Sequence, residues 1–328
     1  VLFEDNTIKI DIVPTHFFNS VINDLYRSAF VLSDKLFEDC VLEEIDDSLV
    51  INEAVIIDGI NSELGTSIAS MTEAHTILEE NRYRRLQHLI DNKFTDDKIL
   101  TLLDLFETRG DAEIRNMVTD NADIPTIFEY VLGILWYKAS DKQGKILDYM
   151  KLSLDADLLP KTHAAGGEAD IVYEYAETEY YPEHILLLEA TLADGTNQRR
   201  MEMEPVSRHL GDYCLRNPED EAYCVFMTTF LHTNVISDFR ARRYMEYYNT
   251  AGTEYITGMK ILPIQTSELK TLLRFDVRYP QIYKMLDKAH NSSGAPKEWY
   301  ENNIVRETGF YNGPKTMIYQ KKREETIQ

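Results

Sequence analysis

The segment His184-Ile-Leu-Leu-Leu-Glu-Ala-Thr-Leu192 constrains this chain more than any other stretch. A short run so rich in apolar residues, bounded by turn signals, reads as a strand. Glu189 interrupts the run and Ala190 follows it. An acid inside so apolar a strand needs a partner, because burying an unpaired carboxylate is costly.

The neighbouring sequence builds a sheet around that strand. Asp170-Ile-Val-Tyr-Glu-Tyr175 reads as a second strand, and the polar stretch Ala176–Glu183, with Pro182, as the turn of a hairpin. Ala193-Asp-Gly-Thr196 is a further turn. A helix is expected from about Gln198 to Leu215, with Met203, Val206, Leu210, Tyr213 and Cys214 as its buried stripe. Tyr223–Phe230 and Tyr255–Ile264 read as strands, and helices resume at Ser267 and Pro280. Upstream, Thr95 is a fitting N-cap for a helix over Lys98–Thr108. Another helix starts near Pro125 and carries Phe128, Val131, Leu132, Leu135 and Trp136. This alternation predicts an α/β architecture, a mixed sheet flanked by helices.

Residues 1–95 have a different texture. Pro14–Phe37 and Thr66–Ile90 carry apolar residues at three-to-four spacing and read as amphipathic helices. Val50–Asp58 between them suits either a strand or a buried helix. The expected organisation is a helical linker or connector domain over 1–95 and an α/β domain over 96–328.

With 328 residues and 44% hydrophobic side chains, the chain can bury a core without disulfides. Three cysteines, Cys40, Cys214 and Cys224, are too few for a disulfide framework or a four-thiolate zinc site, which suits a reducing, cytoplasmic setting. No apolar run approaches the roughly 20 residues of a membrane span, and no basic-then-apolar leader is present. The sequence opens at Val1 without Met, so a piece of a longer protein is expected. The net charge of −22 argues against a phosphate-rich partner at first sight. The charge is unevenly spread, however. Residues 1–198 hold 15 basic and 39 acidic side chains, whereas residues 199–328 hold 19 basic and 17 acidic. The C-terminal part is therefore not anionic.

Two carboxylates stand out as a candidate site. Asp170 begins one strand and Glu189 lies in its hairpin partner, so antiparallel pairing would bring them together. Like charges at that distance call for a cation, and hard oxygen ligands suit Mg²⁺, with Mn²⁺ as substitute. Glu202 and His209 lie seven apart, on nearly the same face of the following helix. There they could orient a water or move a proton. Glu204 competes with Glu202 by spacing. Glu129 is the one acid between Asp123 and Asp141, in an otherwise apolar helix. Each of these acids also has a plain reading as a solvated strand-end or helix-edge residue.

In order, the chain carries the Glu129 helix, Gly-x-Ala-Asp (Gly167–Asp170), apolar-Glu-x-Thr (Leu188–Thr191) and Glu-x-Glu-Pro-Val-x-Arg-His (Glu202–His209). That order resembles the cleavage domain of AlwI-type type IIS restriction endonucleases and their strand-nicking relatives, within the wider PD-(D/E)xK nuclease class. The likeness covers about residues 100–320. Residues 1–95 are similar, less specifically, to the helical linker domain of these enzymes. The resemblance implies a restriction-endonuclease-like mixed sheet and metal-dependent hydrolysis of double-stranded DNA. It also implies Asp170, Glu189 and Glu202 as metal ligands, with Glu129 and His209 completing the catalytic set. One catalytic constellation per chain cuts one strand, so a double-strand break would need a second nuclease subunit or a transient dimer. Thr191 stands where the wider class has its catalytic Lys. Charge stabilisation would then fall to the metal, to His209, or to Arg199, Arg200 and Arg208. The family's N-terminal sequence-reading domains have no counterpart in this sequence. Two other readings compete: a non-catalytic nuclease-like scaffold subunit, and a glycosidase using Glu189 and Glu202. The second is weakened by the presence of only two Trp, Trp136 and Trp299.

Overall fold

The computed structural model describes residues 2–4, 7–9, 52–163 and 169–310. The helix expected over Pro14–Phe37, the residue Cys40 and the Gly167–Glu168 part of the Gly-x-Ala-Asp motif lie outside these residues. The chain divides into two compact units, one of residues 1–88 with 155–158, the other of residues 89–154 and 159–328.

In the first unit, the ambiguous apolar run after Val50 is helical: α1 spans Glu53–Leu64 and α2 begins at Met71 and ends at Asn92. Ile56, Ile60, Ile68 and Ala74 form its buried cluster. Asn61 fixes the connection between the helices. Its amide donates to Ile68 O (3.0 Å), and its Oδ1 accepts from Ile68 N (2.8 Å) and Thr66 Oγ1 (2.9 Å). Gly65 closes α1 in the left-handed conformation, φ 63°. One feature departs from the all-helical expectation for this region. Leu2–Glu4 and Thr7–Lys9 pair as short antiparallel strands, in keeping with β-branched Thr7 and Ile8.

The second unit is built on a four-stranded sheet. Its strands are β1 (Ile171–Tyr175), β2 (His184–Thr191), β3 (Ala222–Thr228) and β4 (Ile261–Gln265). The spatial order is β4-β3-β2-β1, with β1 antiparallel to β2 and the other pairs parallel. The parallel connections run through α5 (Gly195–Arg216) and α6 (Thr233–Arg242). Ahead of the sheet come α3 (Asp96–Thr108) and α4 (Ile124–Ala139). After it come α7 (Thr266–Arg274) and α8 (Tyr279–Asn291). Thr95 caps α3 as expected, its side chain accepting from Lys98 N. The expected strand over Tyr255–Ile264 is instead two elements. Gly258 adopts φ 81°, and this left-handed residue ends a short Tyr255–Ile256 strand before β4 begins.

Side chains alternate across a strand, so each face of β1 and β2 carries its own set. Tyr173 Oη donates to Gly133 O (3.1 Å) and Trp136 Nε1 donates to Tyr175 Oη (3.1 Å), so this face meets α4. The cross-strand register pairs Tyr175 with His184 and Tyr173 with Leu186, which puts His184 on the same side. There the Tyr175 and Tyr279 rings stack at 3.7 Å, 5° apart. Pro182 O accepts from His184 Nδ1 (2.7 Å), which makes Nε2 the acceptor of the Tyr279 hydroxyl (2.6 Å). Burial holds His184 below its ordinary value. Its stabilising effect is therefore complete above pH 6.5 and lost as pH falls through the lower folded value.

Tyr279→Phe keeps the stacked ring and removes one hydroxyl, stranding a buried imidazole nitrogen. The expected cost is about 1–3 kcal/mol, read as a lower melting temperature at pH 7. An unchanged melting temperature would show that the His184–Tyr279 bond adds nothing to stability.

Candidate active site

Glu189 and Thr191 point to the opposite face of the sheet, toward α5. Register makes Asp170 the partner of Glu189, since Ile171 pairs with Leu188. Asp170 Oδ2 accepts from Ala190 N (2.9 Å), which pins its carboxylate against β2 beside Glu189. From α5, His209 Nδ1 donates to Glu189 Oε1 at 2.7 Å. Thr191 Oγ1 donates to Glu202 Oε1 at 2.7 Å and accepts from Ala193 N at 3.0 Å. Two residues of the strand end thus bond two residues of the helix, seven apart, and the helix lies along the strand end.

Glu129 enters from α4. Far from sitting at a solvated helix edge, it is 7% exposed, and its Oε2 is buried without a hydrogen-bond partner. Burial, then the charges of Asp123, Glu189 and Glu202, push its pKa up to about 8. Burial also raises Asp170 well above the carboxylate range, helped by Glu129, Glu189 and Glu202. Glu189 is raised by burial against the opposing pull of His209, and Glu202 by burial and Glu189. Asp123 differs: burial raises it, but the hydrogen bonds of its N-cap to Thr126 hold it below the ordinary value.

The structure thus brings together all five residues singled out in the sequence. It also separates Glu202 from Glu204, which is exposed and paired with Arg208 (3.0 Å). His209 is less open than its expected phosphate contact would require: the residue is half-buried, and Nε2 is shielded without a partner. The packing that seats Nδ1 on Glu189 is what encloses it. Arg199 is committed to Asp238, while Arg208 lies close enough to favour the charged form of Glu189. His184, on the other face, is outside the site.

Sequence reasoning missed Gln198. Fully buried, it donates to Ala193 O (3.2 Å) and Thr228 Oγ1 (3.0 Å) and accepts from His232 N (2.9 Å). It therefore ties the start of α5 to the ends of β2 and β3. A lone Gln in a polar first turn gives no periodic signal that could have exposed this role.

Among the described residues, no three acidic, His or Cys side chains stand as a ready ligand set. The donor chemistry nonetheless fits a divalent cation. Four mutually repelling carboxylates face one imidazole, and the Glu129 oxygen and the His209 nitrogen are buried without partners.

Comparison with known proteins places the chain in a family. The family model of the AlwI restriction endonuclease matches residues 1–272. The chain belongs to the AlwI restriction endonuclease family, and so to the DNA-cleaving hydrolases of the restriction type. Membership removes the glycosidase reading. Among solved structures, the chain is similar to the small subunit of the heterodimeric restriction endonuclease R.BspD6I. That similarity has 19% identity and a TM-score of 0.43, and covers 65% of this chain and 97% of that one. No curated protein matches. No described helix is long and apolar enough to cross a membrane.

Glu129→Gln should stabilise the metal-free protein. A group whose folded pKa is raised contributes stability below its unfolded value, near 4.5, and loses it as pH rises through about 8. The variant's melting temperature should therefore match the parent near pH 4.5 and exceed it by about a few degrees at pH 8.5. A pH-independent difference would mean that Glu129 is not the destabilising carboxylate.

Proposed function

We propose that the chain is a divalent-metal-dependent endodeoxyribonuclease of the type IIS or nicking class. One observation carries this reading: Asp170 and Glu189 stand side by side at the end of a buried sheet, with Glu202 and His209 bonded to that strand end. Asp170, Glu189 and Glu202 would hold the cation. When bound, Mg²⁺ or Mn²⁺ would polarise the phosphate and increase the acidity of an attacking water.

The chain's own groups do the rest. The His209 bond fixes the rotation of the Glu189 carboxylate. With Nδ1 carrying the proton toward Glu189, Nε2 offers a lone pair that can take a proton within the site. Thr191 holds Glu202 against the strand, so the position of the missing Lys becomes an anchor for an acid. Arg208 and Arg200 lie on the same helix and supply positive charge. Each chain carries one such constellation and would cut one strand. Cleavage of both strands therefore calls for a second nuclease subunit or a transient dimer. The alternative reading is a non-catalytic subunit with the same fold.

Incubation with supercoiled plasmid and Mg²⁺ or Mn²⁺ tests the proposal. Open-circle product is expected from the chain alone, with none in EDTA. Asp170→Ala or Glu189→Ala should abolish cleavage, and His209→Ala should lower the rate by about 10²- to 10⁴-fold. Cleavage by either carboxylate variant at the parental rate would move the metal elsewhere. Metal binding without any cleavage would favour the non-catalytic subunit.

Thr191 gives a second, independent check. Thr191→Ser keeps the hydroxyl and should retain the parental rate. Thr191→Val is isosteric and frees Glu202, and a loss of about 10-fold is expected for one charge-assisted hydrogen bond. Equal rates for the two variants would show that Glu202 needs no anchor.

A further inference from the structure

Three oxygens and one N–H converge on the buried side chain of Gln198. Its Nε2 donates to Ala193 O (3.2 Å), Thr228 Oγ1 (3.0 Å) and Phe230 O (2.5 Å), and its Oε1 accepts from His232 N (2.9 Å). The two carbonyls can only accept and the His232 amide can only donate, so the partners fix which way the Gln198 amide faces. A carboxylate or an apolar side chain of the same size would leave buried groups unpaired.

On one side the amide is seated on a fixed frame. Thr228 ends β3, which is buried along its whole length, and its register partner in β2 is Thr191. Thr228 Oγ1 also donates to Phe230 O at 2.9 Å, and His232 is the N-cap of α6. On the other side both links lead to the site. Gln198 N donates to Asp194 O (3.2 Å) in the first turn of α5, and Glu202 follows one turn later on the same face. Ala193 is held from two directions, its O accepting from Gln198 and its N donating to Thr191 Oγ1 (3.0 Å). Thr191 Oγ1 in turn donates to Glu202 Oε1 at 2.7 Å. One amide therefore holds both ends of the Thr191–Glu202 bond.

We propose that Gln198 is a positioning residue for the cleavage site, setting Glu202 against the end of β2 from the frame of β3 and α6. The inference rests on the nuclease reading and adds the group that places one of its acids. Glu202 comes from a helix, whereas Asp170 and Glu189 come from the sheet. A cation shared among them needs the helix start at a fixed distance from the strand ends. Groups that orient a ligand set are commonly worth about 10- to 100-fold in metal affinity or activity. An amide that only filled space would stabilise the fold and leave the Thr191–Glu202 bond unaffected.

The test compares Gln198→Met, which keeps the volume and removes the amide, with Thr191→Val and with the double variant. Plasmid cleavage by Gln198→Met should fall about 10- to 100-fold. Once Thr191→Val has broken the bond to Glu202, the same change should cost much less. Additive losses would overturn the proposal, because the amide would then act on the fold and not on Glu202. The second readout is hydrogen exchange of the Ala193 amide by NMR, in EDTA and without DNA. Exchange should be faster in Gln198→Met, which frees the turn that holds Ala193 N on Thr191 Oγ1, and parental exchange would also overturn the proposal. This measurement needs neither metal nor cleavage. A parent that cuts no plasmid would therefore defeat the nuclease reading, while the exchange comparison still decides the role of Gln198. Should Gln198→Met not fold, Thr228→Val removes one acceptor and leaves α5 intact. Smaller shifts of both kinds are expected from it, and parental exchange with a parental rate would overturn the proposal.

Discussion

The hydrogen bond between Glu189 and His209 is the interaction on which the rest of this structure depends. Glu189 occupies a position that would otherwise be filled by a branched apolar side chain, in a strand buried along most of its length. An ionised carboxylate there is tolerable only with a polar partner and a nearby cation. That requirement dictates where α5 must lie. The helix has to pass over the strand end with His209 facing down, and Thr191 with Glu202 makes a second contact about two helical turns away. Gln198 holds the helix start to β2 and β3, so the helix has little freedom to turn its polar face elsewhere.

The sheet separates stability from chemistry by strand alternation. The α4 side of β1 and β2 carries Tyr173, Tyr175 and His184, a stacked aromatic layer whose hydroxyls and ring nitrogens are satisfied internally. The α5 side carries the carboxylates. The polar groups of that aromatic layer have partners, whereas the site at the strand end keeps an unpartnered Glu129 oxygen from α4 and an unpartnered His209 nitrogen from α5. Unsatisfied buried groups brought together at one strand end cost the fold stability, and rule-breaking of that kind is expected at functional sites.

Much of this was legible in the sequence because it rests on local rules. An acid in an apolar strand, a hairpin turn with Pro182 and an N-cap at Thr95 are signals that near neighbours decide. The juxtaposition of Asp170 and Glu189 followed from the hairpin alone. What the sequence hid depends on distant packing. The depth of Glu129 is set by a helix buried nearly all round, and the hydrogen bonds of Gln198 reach 30 and more residues along the chain. The Tyr255–Ile264 run broke at Gly258 because a left-handed backbone outranks the β propensity of its flanks. The choice of Glu202 over Glu204 rested on a rotation of about 200° around the helix, which only the placement of Thr191 could decide.

The acidity of the chain and its family's affinity for DNA are not in conflict once distance is considered. At physiological salt, charges are screened over about 8 Å, so phosphate responds to its immediate surroundings and not to a net charge of −22. Many acids of the second unit are already paired: Asp104 and Glu107 with Lys270, Asp141 with Arg278. Within the site itself burial and mutual repulsion oppose ionisation of Glu129, Asp170, Glu189 and Glu202, and their ionised forms would repel phosphate as strongly as they attract a cation. DNA and a divalent cation should therefore bind cooperatively, because each offsets the charge that opposes the other. On the nuclease proposal, the buried carboxylates would disfavour DNA in the site until the cation that assists hydrolysis is present.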